Sequence, residues 1–447
     1  MIYLDNNSTT IMPKATVAAF TDYCNRGNPS SSYPSANKCK DVIMKFREFI
    51  AAGCGFEVDT NDLEYEDIVA GINSGKLNPN TMSPNLYKII FTSCGSESNA
   101  MIIQGVIRSY RKITHQIPHI ISSEVEHKSV LDCLKSYAED GEIQLTLIPP
   151  MINGVISPEN IEAEIRENTC LITIMQANNE TGVINDIATI AKIAHKYNIP
   201  FHSDAVQTFG KFKLDLPKMD LDAITISFHK YHGPPGIGAV IIRSKFLYGY
   251  QIPPLVYGSQ NYHLRGGTEN MPGLAAAYAG LAYTWEKRNE KNARLLQLKL
   301  RLKKGLESKF KIIAYSQYYN NFIRQQRPPA TNKPYLVLFN EADARYTPNT
   351  LLLSVVASPS MDVCNSKIKK ALEDAGIIVS IGSACNTKSN KASHVLYSLK
   401  ADKWVRRGTI RVSLGDETTE SDIDKFVAKF AEIVTVVVQP CSSKDKK

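Results

Sequence analysis

Two charged side chains carry the first chemical signal in this chain. Asp204 stands in the run Phe201-His202-Ser203-Asp204-Ala205-Val206-Gln207, and Lys230 follows 26 positions later within Ser227-Phe228-His229-Lys230-Tyr231-His232-Gly233. A carboxylate at the end of a buried strand can hold a protonated pyridine nitrogen. A lysine at the end of the following strand can reach an aldehyde on the same ring and bond to it covalently. Together they would make the ring an electron sink, which is the arrangement a pyridoxal-phosphate (PLP) site requires. Such a site must also hold a dianionic phosphate. Ser93-Cys94-Gly95-Ser96 lies at a strand-to-helix turn, where exposed N–H groups and the helix dipole favour an anion. Gly95 and Ser96 are therefore phosphate candidates, and Ser227 and His229 can add hydrogen bonds to the same oxygens. Each piece has a plainer reading alone: Lys230 as a surface lysine, Asp204 as a turn or cap residue. Their joint spacing outweighs those readings.

The elements that would position these residues form an α/β pattern. Strand-like runs at Lys88–Thr92, His119–Ser122, Ile143–Ile148, Cys170–Met175, Ile199–Ser203, Ala223–Ser227 and Ile237–Ile242 alternate with helical periodicity. This predicts a mostly parallel seven-stranded sheet covered by helices. One helix shows Val42, Ile43, Phe46, Phe49 and Ile50 on one face and stops near Gly53 and Gly55; another runs from Ile187 to Tyr197, and a third begins near Asn99. After Pro272 long helical stretches lead to about Phe310, followed by an α+β region with strands near Tyr335–Phe339 and Thr409–Leu414. The division expected is a large domain over 16–270 and a smaller one formed by 1–15 and 271–447. Two Asn/Pro-rich stretches, Glu57 to Leu86 and Tyr315 to Pro334, read as inserted surface loops.

The motifs, taken together, resemble the cysteine desulfurases of the NifS/IscS type, within the class V aminotransferase group of fold-type I PLP enzymes. The matching stretches are Tyr3-Leu4-Asp5-Asn6-Asn7-Ser8-Thr9-Thr10, Thr92 to Asn99, Glu126-His127, Asn178-Asn179-Glu180-Thr181-Gly182, Ser203 to Gln207, Ser227 to Lys230, Arg265 to Asn270, Gly382-Ser383-Ala384-Cys385 and Ile410 to Gly415, in the family's order along nearly the whole chain. The resemblance implies that His127 stacks on the PLP ring and supplies or removes protons, with Asn179 and Gln207 at the ring edge and phenolic oxygen. It implies Asp204 as the pyridinium partner, Lys230 as the cofactor lysine, and Gly95, Ser96, Ser227 and His229 around the phosphate. Thr268 would reach the phosphate of the opposite subunit in a homodimer, and Arg411 would clamp the substrate carboxylate with its planar fork.

Cys385 decides the reaction type that the resemblance implies. It stands among small and polar residues, Gly382 to Lys391, which read as a mobile loop, and would take the sulfur of L-cysteine as a persulfide while alanine leaves. The 26 positions from Cys385 to Arg411 resemble the group with a longer cysteine loop, which hands sulfur to a scaffold or carrier protein for iron–sulfur cluster assembly or tRNA thiolation. Departures from the pattern are Cys94 in the phosphate turn, Pro235 after Pro234, Asn386-Thr387 after Cys385, and the two insertions. Alternatives within reach are a selenocysteine lyase, another class V PLP enzyme, or a PLP-containing scaffold for sulfur assembly.

Composition bounds the class. The 447 residues are 43% hydrophobic and 21% charged, the balance of a globular protein long enough for two cores. The net charge of +8 is dispersed, with its one cluster in the tail Ser442–Lys447, so no nucleic-acid binding is expected. Nine scattered cysteines without a CxxC pair point to a reduced compartment, and no apolar run of membrane-spanning length or leader is visible, which predicts a cytoplasmic protein. His229 and His232 lack a third ligand, so no metal is expected.

Overall fold

The computed structural model describes the chain except residues 327–328, 330, 332, 341–344, 382–392 and 441–447. All seven strands expected from the sequence are present in one sheet, joined at its edge by an eighth, the short Glu57–Val58. In sheet order the strands are Glu57–Val58, Leu86–Thr92, Gly238–Arg243, Ala223–Ser227, Phe201–Asp204, Thr169–Thr173, His119–Ser123 and Gln144–Ile148. Gly238–Arg243 is antiparallel to both its neighbours, and the other pairings are parallel. Seven strands thus point the same way. Their carboxyl ends gather on one edge, where the chain order of neighbours jumps, and in open α/β sheets that is where ligands bind.

The strands are Ile/Val-rich and buried on both faces because helices cover both. Pro34–Cys54 presents Cys39, Ile43, Phe46 and Ile50 to one face, begins with a proline in its first turn, and ends at Gly55 with φ 75°. Gly95–Thr114 covers the other face with Met101, Ile102, Val106 and Ile107. Glu97 in its first turn and Arg111 and Lys112 in its last complement its dipole. Phe46 stacks on Phe91 at 5.3 Å and lies 5.2 Å from Phe228, which anchors the turn Phe228–Lys230 from below.

A second sheet, ordered Ile312–Ala314, Tyr335–Leu338, Thr350–Val356 and Thr409–Ser413, carries its own core. Leu295, Leu298, Leu302 and Leu306 of the helix Arg288–Glu307 and Ile423, Phe426 and Phe430 of Glu420–Val437 pack into it. The helix Met271–Trp285 packs Met271, Leu274, Ala277 and Leu281 into the core of the large sheet. The amino-terminal segment ties the two sheets together. Ile2–Tyr3 pairs with Ile377–Ile378, and Asp5 bridges to Ser413 before the chain runs past Lys230.

The two insertions differ from the loops the composition suggested. Glu57 to Leu86 supplies the edge strand and a nine-residue helix, Tyr65–Asn73, with Ile68 buried. It also supplies Asp59, whose carboxylate meets the buried Lys88 at 3.4 Å and accepts from Ser244 Oγ at 2.6 Å. In the second, Tyr315 and Tyr318 of a short helix are buried, and their hydroxyls donate to Leu399 O and Asp402 Oδ2. Polar composition concealed both because few apolar residues anchor each segment and those few are aromatic or widely spaced.

Candidate active site

Five strand ends deliver the polar residues of one cavity of about 610 Å³. The strand Leu86–Thr92 turns at Ser93 and Cys94 into the helix that begins at Gly95, four residues earlier than Asn99. The turn is braced by Glu97, whose carboxylate accepts from Ser93 N at 2.8 Å and Ser93 Oγ and is gripped by Arg265 Nε at 2.8 Å. Burial alone would push the Glu97 carboxyl up, but the Arg265 and Ser93 bonds outweigh it and hold it low. Gly95 packs closely: a Cβ there would lie 3.1 Å from Val206 Cγ2 and 3.4 Å from Ser227 Cβ. Gly95 and Ser96 therefore present a helix amino terminus to the cavity, with Ser227 and His229 opposite. Desolvation, helped by the nearby Lys230 charge, pushes the His229 imidazole down to about 4, so near neutral pH it is an uncharged hydrogen-bonding group.

Asp204 ends its strand 5% exposed, accepting from Asn99 Nδ2 at 3.0 Å and from Val206 N at 2.9 Å. Lys230 lines the same cavity, and its Nζ donates to the carbonyls of Asn7 at 2.6 Å and Ser8 at 2.5 Å. Gln207 Nε2 donates to the Asn7 carbonyl as well, at 3.1 Å. His127 caps the helix Lys128–Glu139 through Nδ1, and desolvation inside the cavity holds its ring below the ordinary imidazole value while Asp204 pulls the other way. Its neighbour Glu126 is buried; desolvation raises its carboxyl to about 8, although Ser123 Oγ and Met175 N donate to it. Asn178 shapes the turn that presents Asn179, its Oδ1 accepting from the N–H groups of Glu180 and Thr181.

Arg411 lies on the strand Thr409–Ser413, 4% exposed. Its Nη1 donates to Asn179 O at 2.8 Å and its Nη2 to Asp5 Oδ1 and Ser8 Oγ, each at 2.8 Å, while Nε has no partner among the described residues. Gly95, Ser96, His127, Asn179, Asp204, Gln207, Ser227, His229, Lys230 and Arg411 all border this one cavity. Thr268 does not. It is exposed on the loop before the helix Met271–Trp285, whose cap is Asn270, with its side chain accepting from Gly273 N. Cys385 lies outside the described residues. Asp5, Asn7, Ser8, Asn99 and Ser129 border the cavity without having been given roles from the sequence. The stretch Tyr3–Thr10 carried the signal for the first three.

A PLP-sized group fits these residues. One wall offers a covalent anchor in Lys230, another a carboxylate in Asp204, and the Gly95–Ser96 turn an anion cradle. A family model described as aminotransferase class V matches residues 81–330. Cysteine desulfurase IscS of Methanosarcina thermophila is 32% identical over 436 residues, covering 97% of this chain and 92% of its own. The chain belongs to the cysteine desulfurases of the class V aminotransferase family. Among solved structures, a NifS-like protein matches the fold with TM-score 0.76 at 28% identity, over 97% of this chain and 99% of its own. SspA in complex with cysteine matches with TM-score 0.66 at 26% identity, over 93% and 99%. Cysteine desulfurases are PLP-dependent enzymes, and the cavity described above brings together residues from most of the motif stretches quoted from the sequence. Among the described residues no helix is long and apolar enough to cross a membrane.

Proposed function

We propose that this desulfurase converts L-cysteine to L-alanine by moving the substrate sulfur onto Cys385, in a cavity where Lys230 holds PLP and Asp204 faces its ring nitrogen. The observation that carries the reading is the convergence of Lys230, Asp204, the Gly95–Ser96 turn and Arg411 on one cavity. When bound, PLP supplies an electron sink for charge building up at the substrate α-carbon. Arg411 binds the substrate carboxylate with its fork, and Asn179 holds Arg411 through its carbonyl. His127, Asn179 and Gln207 hold the ring in place, and Ser96, Ser227 and His229 hold the phosphate. Lys230 Nζ takes the proton from the substrate α-carbon. The Cys385 thiolate then attacks the substrate sulfur: an S–S bond forms, the Cβ–S bond breaks, and its electron pair stays with the carbon skeleton, which gains a proton at Cβ, takes back the α-proton from Lys230 and leaves as alanine.

Residues 16–270 are proposed as the PLP-binding domain, with 1–15 and 271–447 forming the smaller domain that carries Cys385. Thr268 is proposed to serve the partner's phosphate in a homodimer; its exposure, away from its own cavity, supports that reading. The persulfide passes to an acceptor or scaffold protein in the cytoplasm. The deciding experiment measures alanine and sulfide release from L-cysteine with a reductant for wild type and Cys385→Ala, while following PLP absorbance. Both products from wild type, and neither from a variant that retains PLP, is the expected result. A Cys385→Ala protein that releases alanine at the wild-type rate would remove Cys385 from the reaction.

A further inference from the structure

Asn99 is 1% exposed, borders the cavity, and opens a run of hydrogen bonds that the proposed reaction does not use. Its Nδ2 donates to Asp204 Oδ2 at 3.0 Å and to Ser129 Oγ at 2.9 Å. Ser129 Oγ stands 2.8 Å from His127 Nδ1, and the Ser129 backbone N–H meets the same nitrogen at 3.2 Å.

The direction of the whole run follows from its ends. A carboxylate oxygen only accepts, so the Asn99 atom against Asp204 is the amide nitrogen, and both hydrogens of that nitrogen are then in use. Ser129 Oγ accepts the second of them and turns its own hydrogen toward His127. A backbone N–H only donates, so Nδ1 faces two donors and carries no hydrogen. The neutral ring must keep its hydrogen on Nε2, the nitrogen left for a molecule in the cavity.

We propose that Asn99 and Ser129 are positioning residues that carry the fixed orientation of Asp204 to His127, and that His127 acts as a neutral hydrogen-bond donor through Nε2. To take a proton at Nε2, the ring would first have to move its hydrogen to Nδ1, directly against the Ser129 N–H. A neutral imidazole held as a donor is an effective way to polarise a reacting group. The role assigned here rests on the desulfurase reading; the tautomer does not.

Neutron diffraction from deuterium-exchanged crystals of the PLP-loaded protein reads the tautomer directly. Deuterium on Nε2 and none on Nδ1 of His127 is expected, and deuterium on Nδ1 overturns the proposal. Kinetics test the positioning role. Losing one hydrogen bond of about 1 kcal/mol predicts that Ser129→Ala lowers kcat for cysteine about fivefold with KM unchanged, and that Ser129→Thr restores it. Wild-type kcat in Ser129→Ala, or no rescue by threonine, sinks the positioning role. A wild type inactive on cysteine removes that role together with the desulfurase reading, while the neutron map still decides the tautomer.

Discussion

Arg411 is bonded through both terminal nitrogens within the protein itself, to Asn179, Asp5 and Ser8. Its guanidinium is therefore aimed before substrate arrives, and a lysine there offers a point charge that cannot keep the same set of bonds. A charged hydrogen bond is worth about 1.5–3 kcal/mol, so Arg411→Lys is expected to raise KM for cysteine about 10–100-fold with a smaller change in kcat, read by steady-state kinetics. A KM that does not move would leave Arg411 a purely structural ion pair with Asp5. At this scale the sequence was most informative where residue types are chemically restrictive. Lys230, Asp204 and the Gly95–Ser96 turn were legible because few other residues can perform their tasks. Asn99 and Ser129 were not, because an amide and a hydroxyl serve countless ordinary roles and their meaning here comes only from contact.

Elements brace one another around the cavity through partly buried ions. The loop holding Arg265 grips Glu97, and Glu97 grips Ser93, so two segments 168 residues apart fix the phosphate turn. Glu97→Gln weakens that brace by replacing a charged bond with a neutral one; PLP affinity should fall about tenfold, measured by titrating the apoprotein. Unchanged affinity would show that the helix terminus alone shapes the turn. On the far side of the sheet, His195 at the end of the helix Ile187–Lys196 lies 2.6 Å from both Asp220 and Asp222. Burial opposes its charge, but the two carboxylates outweigh burial and raise its pKa. A raised folded-state value means the stabilisation is fully present below the unfolded value near 6.5 and is lost as pH rises through the folded value. His195→Ala should accordingly cost about 2 kcal/mol at pH 6 and distinctly less at pH 9, by denaturant unfolding. A cost that does not change with pH would mean the ring is neutral throughout. Helices and strands with strong periodicity, such as Pro34–Cys54 and Ile187–Lys196, were readable from the sequence. Tyr65–Asn73 was not, because only Ile68 of that helix is buried.

At the scale of the whole molecule, the amino-terminal segment supplies one wall of the cavity. Leu4 is fully buried in the core of the second sheet, and the next four residues reach Ser413, Arg411 and Lys230. Removing residues 1–8 takes away the carbonyl partners of Lys230 and the anchors of Arg411. With about 1 kcal/mol lost per bond, a fall in Tm of about 5–10 °C and loss of PLP uptake are expected, by thermal melts and cofactor absorbance. Normal PLP uptake by the shortened chain would show that the segment only decorates the site. Composition and hydropathy patterning indicated two cores, but nothing in them said that the first strand, Ile2–Tyr3, would pair with Ile377–Ile378 near the other end of the chain.

That pairing sets an order on biosynthesis. Asp5 and Arg411 are separated by 406 positions, so at the usual ~5–20 residues per second about 20–80 s pass between making the two walls of one cavity. A chain still on the ribosome has its lysine and its phosphate turn long before it has its carboxylate clamp. Chains that stop short of the strand Thr409–Ser413 keep Asp5 and Ser8 bonded to each other but lack the guanidinium that both are placed to meet, and one wall of their cavity is missing.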